Sequence, residues 1–238
     1  MAKVDMRAPG VDVPGAFAEA YEAVARRIGR YEAWSAFVRI YAAEVAWGCG
    51  NRCDALMDRR ESLAQGLDDA ARGALVQMFE QMVEALEARP FQDFLGGAYM
   101  ALGVADKGHG QFFTPFHVSR TMARIVVPAA ARAVRERGFA AVQEPSCGAG
   151  ASVIALAGEM AAMGIDWQRG LYFTAQDISE LPALMCYLQA SLIGLAGHVV
   201  VGDTLKGEAR LALHTPVMAM EPAWVAREAR GDVPWRRA

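Results

Sequence analysis

The stretch E-P-S-C-G-A-G, residues 144–150, decides the fold class of this 238-residue chain. It follows a short apolar run at 139–142 and precedes an alanine-rich helical pattern at 152–163. In α/β proteins an acidic strand end, a glycine turn and a helix cradle nucleotide-like ligands. Glycine lets the backbone approach the ligand, and the helix N-terminus presents unpaired N–H groups. We therefore predict an α/β fold with a ligand site at this turn.

Strand and helix patterns alternate after Gly138. We predict strands at 139–142, 171–175 and 199–201, and helices at 152–163 and 179–195, the second with Ser179 as its N-cap. Strand, helix, strand, helix, strand implies a parallel sheet with right-handed crossovers.

The front of the chain has a different pattern. Apolar residues recur at helical spacing from 14 to 88, which predicts about four helices in a small bundle that stops before Pro90. Residues 103–110 are polar and glycine-rich, as in a linker, and a further helical run starts at His117 and is interrupted or kinked by Pro128. We predict a flexible arm at 1–13, a helical bundle domain at 14–105 and an α/β domain at 106–238.

Composition excludes some function classes. The net charge of −3 and the pI near 5.8 give no overall attraction to nucleic acid, so a DNA contact would need a local basic patch. The sequence has no apolar span that would cross a bilayer and no signal-peptide pattern, so we expect a cytoplasmic protein without a membrane partner. Cys49 and Cys53 lack a second Cys/His pair nearby, so we expect no metal site.

Acidic residues follow each predicted strand. Glu144, Asp177 and Asp203 would meet at the carboxyl edge of a parallel sheet, where such folds bind ligands. Three carboxylates there would suit an ammonium, two ribose hydroxyls and an adenine amine, the groups of S-adenosylmethionine. Each acid alone could equally be a helix cap. A dinucleotide is the alternative cofactor, but the turn supplies only Gly148 and Gly150 where the dinucleotide fingerprint needs a third glycine.

Four motifs occur in a fixed order. They are G-Q-F-F-T-P (110–115), E-P-S-C-G-A-G (144–150), Q-D-I-S (176–179) and G-D-T-L (202–205). Over residues 108–206 the series resembles the N6-adenine DNA methyltransferase family, and it is most similar to the modification subunits of type I restriction-modification systems. The resemblance implies an S-adenosylmethionine-dependent, Rossmann-like methyltransferase sheet behind a helical N-terminal domain, and DNA as a partner.

The resemblance also assigns cofactor contacts, one for each matching position. It places Phe112, Thr114 and Pro115 at the methionine end, Glu144 (where the family has Asp), Cys147, Gly148 and Gly150 at the amino-acid moiety, Asp177 at the ribose hydroxyls, Ile178 at the adenine ring and Asp203 at the adenine amine. Core packing is the alternative role for one of Phe112 and Phe113.

The chain departs from the family at the catalytic motif, N/D-P-P-F/Y/W at the end of strand four. No N-P-P or D-P-P occurs in the sequence. The best remnant is V-M-A-M-E-P-A-W (217–224), in which Glu221, Pro222 and Trp224 are the catalytic candidates. Glu is one methylene longer than Asp, and Ala223 replaces the second proline, so the geometry that the chemistry needs is altered. The alternative, which we favour, is that Pro222 breaks the chain and Trp224 covers a hydrophobic edge.

Only 14 residues follow Trp224, whereas a full methyltransferase sheet needs three more strands. We therefore expect a truncated sheet whose open edge or face is covered by a protein partner or by a homo-oligomer. The predicted function is that of an S-adenosylmethionine-binding protein resembling a DNA adenine-N6 methyltransferase. The alternative is a non-catalytic regulatory or assembly protein that acts through protein or DNA binding.

Overall fold

A computed structural model describes residues 12–104 and 113–234 of the chain. Most of the predicted arm and of the predicted linker, together with the domain boundary at 105/106, lies outside the described residues.

Five helices form the front of the described chain. They are α1 (Gly15–Ile28), α2 (Arg30–Gly48), α3 (Asp54–Gln65), α4 (Asp69–Ala88) and α5 (Phe94–Ala101). Their core is aromatic: Phe17 meets the rings of Trp34, Phe37 and Phe94, with centroids 5.2 to 6.2 Å apart. The prediction of about four helices over 14–88 is confirmed.

Four strands and six helices follow Pro115. They are α6 (Phe116–Arg137), β1 (Ala140–Glu144), α7 (Ala151–Ala162), α8 (Trp167–Gly170), β2 (Leu171–Asp177), α9 (Glu180–Ile193), β3 (Ala196–Val201), β4 (Leu211–His214), α10 (Pro216–Met220) and α11 (Pro222–Ala229). The strand order is β1-β2-β3-β4, in which β1, β2 and β3 are parallel and β4 runs antiparallel to β3. The three predicted strands and the α/β class are confirmed.

The register sets the position of the site. Glu144 pairs with Ala175 at the end of β1, and Asp177 pairs with Val201 at the end of β2. The carboxyl ends of three parallel strands therefore meet at one edge of the sheet. The sheet is mixed rather than all parallel, because β4 runs antiparallel to β3. The sequence analysis did not predict β4. Its four residues are too few to show a periodic pattern.

Pro128 lies inside α6 and does not interrupt it, so of the two predicted effects, interruption or a kink, interruption is wrong. The helix runs from Phe116 to Arg137 and ends at Gly138, which adopts the left-handed conformation (φ +81°). Pro128 lies on the exposed side of the helix. Water can therefore satisfy the carbonyl that lacks an N–H partner there.

The apolar run at 217–220 belongs to a helix, not to a fourth parallel strand. Pro216 and Pro222 each occupy a first helical position, in α10 and α11, where the missing N–H costs nothing. Glu221 caps α11 by accepting a hydrogen bond from the Ala223 N–H at 3.4 Å. Met218 and Trp224 pack on Tyr172 and Ala196, on one face of the sheet.

One hydrophobic core joins the front helices to the α/β part. Trp34 and Phe37 of α2 belong to the same buried cluster as Leu184 and Tyr187 of α9. At the surface, Glu180 of α9 pairs with Arg39 of α2 and Arg59 of α3. The front helices therefore form part of the support for α9 and the cleft beside it. Among the helices of the two described segments, none is both long and apolar enough to cross a bilayer.

Candidate cofactor site

A cleft of about 360 Å³ opens at the carboxyl edge of the sheet, between the 144–150 turn, the end of β2 and the start of α5. This volume is within the range of small-molecule sites in proteins. The cleft is lined by Asp93, Phe113, Thr114, Ser146, Cys147, Gly148, Ala149, Ala151, Ser152, Asp177, Ser179 and Pro182.

Two glycines let the turn take its shape. Gly148 has φ +52°, and a Cβ there would lie 3.0 Å from Cδ1 of Phe113. Gly150 has φ +99°, and a Cβ there would lie 2.9 Å from Sγ of Cys186. Both positions combine a left-handed backbone with close neighbours, so only glycine fits without movement. The turn is thereby held against Phe113 on one side and α9 on the other.

Asp177 connects the turn to the end of β2. Its Oδ2 accepts a hydrogen bond from the Gly148 N–H at 2.9 Å, and its Oδ1 accepts one from the Ser179 N–H at 2.8 Å. Each carboxylate oxygen has a second lone pair, so the group can still accept a hydroxyl donor from the cleft.

Asp93 is a second carboxyl group in the cleft, and it is almost completely buried. Its Oδ1 accepts hydrogen bonds from the Gly96 N–H at 2.9 Å and from Nε2 of Gln189 at 3.0 Å. Burial raises the pKa of Asp93, and these two hydrogen bonds oppose the rise. A cation in the cleft would favour the ionised form.

Gln189 links several parts of the site. Its side chain accepts from the Leu95 N–H and donates to the Ala149 carbonyl, in addition to its bond with Asp93. A single buried amide thus fixes α5, α9 and the glycine turn relative to one another.

Cys147 is the buried thiol of the turn. A hydrogen bond with Cys186 raises its pKa well above the usual value, and burial and the Asp177 charge act in the same direction. A neutral, buried thiol is a packing group rather than a nucleophile.

Apart from the Cys147 thiol, the ionisable side chains that line the cleft are two carboxyl groups. Asp93 and Asp177 line it, and among the described lining residues there is no Lys, Arg or His. The N-terminus of α7, at Ala151 and Ser152, supplies partial positive charge on one wall. The arrangement suits a ligand with a cationic group and one anionic group.

The structure brings together four of the residues chosen from the sequence as cofactor contacts. Thr114, Cys147, Gly148 and Asp177 all line the cleft, and Gly150 supports the turn from behind.

Four other sequence candidates among the described residues are not part of the cleft lining. Glu144 lines a neighbouring groove beside α6, where its Oε1 accepts from the Ser146 N–H at 3.3 Å. Asp203 closes a turn at the end of β3 and pairs with Lys206 at 3.4 Å. Pro115 caps α6, Ile178 is 61% exposed, and Phe112 lies outside the described residues.

Glu221, Pro222 and Trp224 lie at the opposite end of the strands. Oε2 of Glu221 accepts from Arg169, which precedes β2, and the Trp224 ring packs near Tyr172 at the start of β2. Tyr172 and Asp177 are five positions apart on β2, which places them about 16 Å from each other at the usual rise of a strand. The fully buried Trp224 also meets Phe139 edge to face, the position of a residue that covers a hydrophobic edge.

Sequence reasoning missed eight of the twelve lining residues. The eight that were not among its cofactor contacts are Asp93, Phe113, Ser146, Ala149, Ala151, Ser152, Ser179 and Pro182. Asp93 carried a detectable signal, since D-F-L-G (93–96) is an acidic cap before an apolar helix. The approach of α5 to the turn depends on the long-range contact with Gln189, so it could not be predicted from the local sequence pattern.

The chain is similar to a known protein family and to a solved methyltransferase structure. The model of the N-6 DNA methylase family matches residues 92–225, from just before Asp93 to just after Trp224. A crystal structure of a putative class I S-adenosylmethionine-dependent methyltransferase from Listeria monocytogenes is 11% identical, with a TM-score of 0.40. The alignment covers 82% of this chain and 55% of that one, so the chain spans about half the length of that protein. No curated protein sequence matches at a significant level.

Proposed function

The chain belongs to the N-6 DNA methylase family, and we propose that it binds S-adenosylmethionine in the cleft between Asp93, the 146–150 turn and Asp177. The observation that carries this proposal is the kind of ionisable side chain that lines the cleft. Its described lining has two carboxyl groups and no basic side chain. S-adenosylmethionine has a sulfonium and an ammonium, and it lacks the pyrophosphate of a dinucleotide.

The cofactor's groups match the cleft one by one. Asp177 at the strand end would accept the ribose hydroxyls, since its oxygens keep free lone pairs beside Ser179. Asp93 would face a cationic group, whose charge would offset the cost of burying the ionised carboxylate. The α7 N-terminus would receive the cofactor carboxylate. The Gly148 backbone allows close approach beneath Phe113.

We further propose that the chain alone does not transfer the methyl group to adenine. Transfer needs an acceptor for the hydrogens of the exocyclic amine and an aromatic residue that holds the flipped base. The sequence has no N-P-P or D-P-P, and Glu221 and Trp224 are engaged with Arg169, Gln168 and Tyr172 at the other end of the strands. The function best supported is cofactor binding in a non-catalytic methylase-like protein.

A two-part assay tests the proposal. The purified chain is incubated with methyl-labelled S-adenosylmethionine, with and without unmethylated DNA, and both retained label and label in DNA are counted. We expect retention on the protein and no label in DNA. Failure of retention would reject cofactor binding. Label in DNA that disappears with Glu221→Ala, but not with the neighbouring Val225→Ala, would instead establish a DNA adenine methyltransferase.

A further inference from the structure

Cys49 lies at the junction between the front helices and the sheet. It directly follows α2 and is partly exposed. The side chain of Asn51 fastens this loop to β4, because its Nδ2 donates to the His214 carbonyl at 2.8 Å and its Oδ1 accepts from the His214 N–H at 3.0 Å. The imidazole of His214 lies against Cys49, with Nε2 3.1 Å from the Cys49 carbonyl oxygen. The junction therefore brings a thiol and an imidazole together.

Two polar groups are directed at the sulfur of Cys49. Nδ2 of Asn51 donates to Sγ at 3.1 Å, and the hydroxyl of Tyr187 on α9 lies 3.5 Å from Sγ. Burial raises the pKa of Tyr187, so its hydroxyl keeps its proton and can donate it to the sulfur. A thiolate accepts hydrogen bonds more strongly than a thiol does, so donors in this arrangement favour the thiolate.

The electrostatics of the pair act in the same direction. Burial alone would raise the pKa of Cys49, but hydrogen bonds with His214 and Tyr187 and the charge of His214 outweigh it, and the pKa lies below its usual value. The hydrogen bond with Cys49 in turn raises the pKa of His214, against its partial burial and with support from Glu228 of α11. His198 of β3 is a further titratable neighbour, with its ring centroid 6.3 Å from that of His214. The pair is shifted toward thiolate and imidazolium, the state in which a cysteine is nucleophilic.

A cavity of about 480 Å³ adjoins the pair. It lies between residues 50–53 and β4, and both Asn51 and His214 line it. Its described lining contains no Asp or Glu, so no carboxylate there opposes a thiolate. The cavity and the Asp177 cleft share no described lining residue. A small molecule in this cavity would contact the side chains that surround the sulfur, and it would not compete with a ligand in the cleft.

We propose that Cys49 is a modification site, a nucleophilic thiolate paired with His214 that reacts with hydroperoxides. The sulfur attacks one oxygen of hydrogen peroxide, so that an S–O bond forms and the O–O bond breaks. The leaving hydroxide takes a proton from the His214 imidazolium and becomes water. The products are a sulfenic acid at Cys49 and a neutral His214. The proposal does not depend on cofactor binding, and either can fail alone.

Cys53 is a matched control within the same chain. It is also partly exposed, but its sulfur accepts no hydrogen bond from the residues that the structure describes. Trypsin cleaves after Arg52 and so places the two cysteines on separate peptides. After treatment with hydrogen peroxide at pH 7 and trapping with dimedone, mass spectrometry should show Cys49 labelled about 10-fold faster than Cys53, since His214 assists the leaving group. Labelling of Cys49 no faster than of Cys53 would reject the proposal.

The pH dependence of alkylation separates a thiolate from a thiol that is merely exposed. Iodoacetamide reacts with the thiolate, so the pH midpoint for Cys49 should lie about half a unit or more below that for Cys53. His214→Gln should raise the Cys49 midpoint and slow its peroxide reaction about 10-fold, because glutamine can keep the bond to the Cys49 carbonyl but cannot carry the proton. His117→Gln, at an exposed position on α6, is the control and should change neither quantity. Equal midpoints for the two cysteines of the wild-type chain, or a folded His214→Gln with the wild-type midpoint and rate, would overturn the proposal.

Discussion

Asp177 has two tasks in the site. It orders the glycine turn through the Gly148 N–H, and it faces the cleft as a hydrogen-bond acceptor. The residue proposed to accept the ribose hydroxyls is therefore also the residue that holds the glycine turn, because the turn folds over the end of β2. Its replacement is therefore best made with an isostere.

Asp177→Asn should weaken S-adenosylmethionine binding by about 10- to 100-fold, because hydrogen bonds to a charged group contribute roughly 1.5–3 kcal/mol. Calorimetric titration measures the effect, and the melting temperature reports whether the turn is intact. Asp166→Asn is the control, since Asp166 caps α8 outside the cleft. Unchanged affinity in Asp177→Asn would exclude Asp177 from the site.

Asp93 is expected to make binding depend on pH. Burial raises its pKa, so the folded chain holds this proton more tightly than the unfolded chain. The stability that this gives is complete below the unfolded pKa and is lost as pH rises through the folded pKa. Affinity for the cationic cofactor should change in the opposite sense and rise with pH as Asp93 ionises.

Asp93→Asn should separate these two effects. The amide keeps the Oδ1 acceptor for Gly96 and Gln189 but cannot ionise, so the melting temperature at neutral pH should rise by about 2–4 °C, the shift that about 1 kcal/mol gives in a chain of this size. The gain should fade as pH falls, while cofactor affinity drops and loses its pH dependence. A variant that binds the cofactor like the wild type at every pH would refute the role.

Gly148 tests whether the contact between the turn and Phe113 is needed for cofactor binding. Gly148→Ala should lose cofactor binding and stability, because its Cβ would press on Phe113 at 3.0 Å. Gly164→Ala is a matched control, with a similar positive φ (+74°) and nothing within 4 Å of its Cβ. Both variants carry a backbone cost of about 1–2 kcal/mol. Calorimetry measures the binding. If both variants still bind the cofactor, the turn can accommodate a Cβ at position 148 and the prediction is wrong.

At the scale of elements, local patterns predicted most of the fold. Local patterns predicted the three strands at 139–142, 171–175 and 199–201 and the helix start at Ser179. They could do so because Gly, Ser and Asp mark the boundaries between strands and helices in βα units. β4 was missed because four residues show no period. For 217–224 the sequence left two interpretations open, a degenerate catalytic motif and a structural segment, because an apolar run beside proline is compatible with both. In the structure this segment forms α10 and α11, and Trp224 of α11 packs near Tyr172.

Local patterns also predicted only part of the candidate cofactor site. Cys147, Gly148 and Asp177 could be predicted from one turn and one strand end. The positions of Glu144 and Asp203 could not, because alignment of strand ends fixes where a backbone stops and not where its carboxylate points. Glu144 folds back on Ser146, and Asp203 on its own turn.

The α10 and α11 pair is predicted to be structural. Trp224→Ala should destabilise the chain by about 3–5 kcal/mol, since it removes a fully buried indole whose Nε1 donates to the Gln168 carbonyl at 2.6 Å. Cofactor affinity should stay within twofold of the wild type. Val225→Ala, at a half-exposed neighbour, should change the unfolding free energy in denaturant far less. A stable Trp224→Ala that loses cofactor binding would argue for a role at the site.

At the scale of the whole molecule, the front helices and the sheet act together. α5 supplies Asp93, α9 supplies Gln189, and the sheet supplies Asp177 and the turn, so the cleft exists only where the two halves meet. One shared hydrophobic core packs the two halves against each other at this junction.

Calorimetric titration of the wild-type chain with S-adenosylmethionine, alongside the dinucleotide NAD, tests the central claim most directly. The acidic cleft predicts a single saturable site for S-adenosylmethionine, with affinity that increases as Asp93 ionises, and no heat of binding with NAD. Binding of NAD instead, or no binding of S-adenosylmethionine by the folded chain at any pH from 5 to 8, would contradict it.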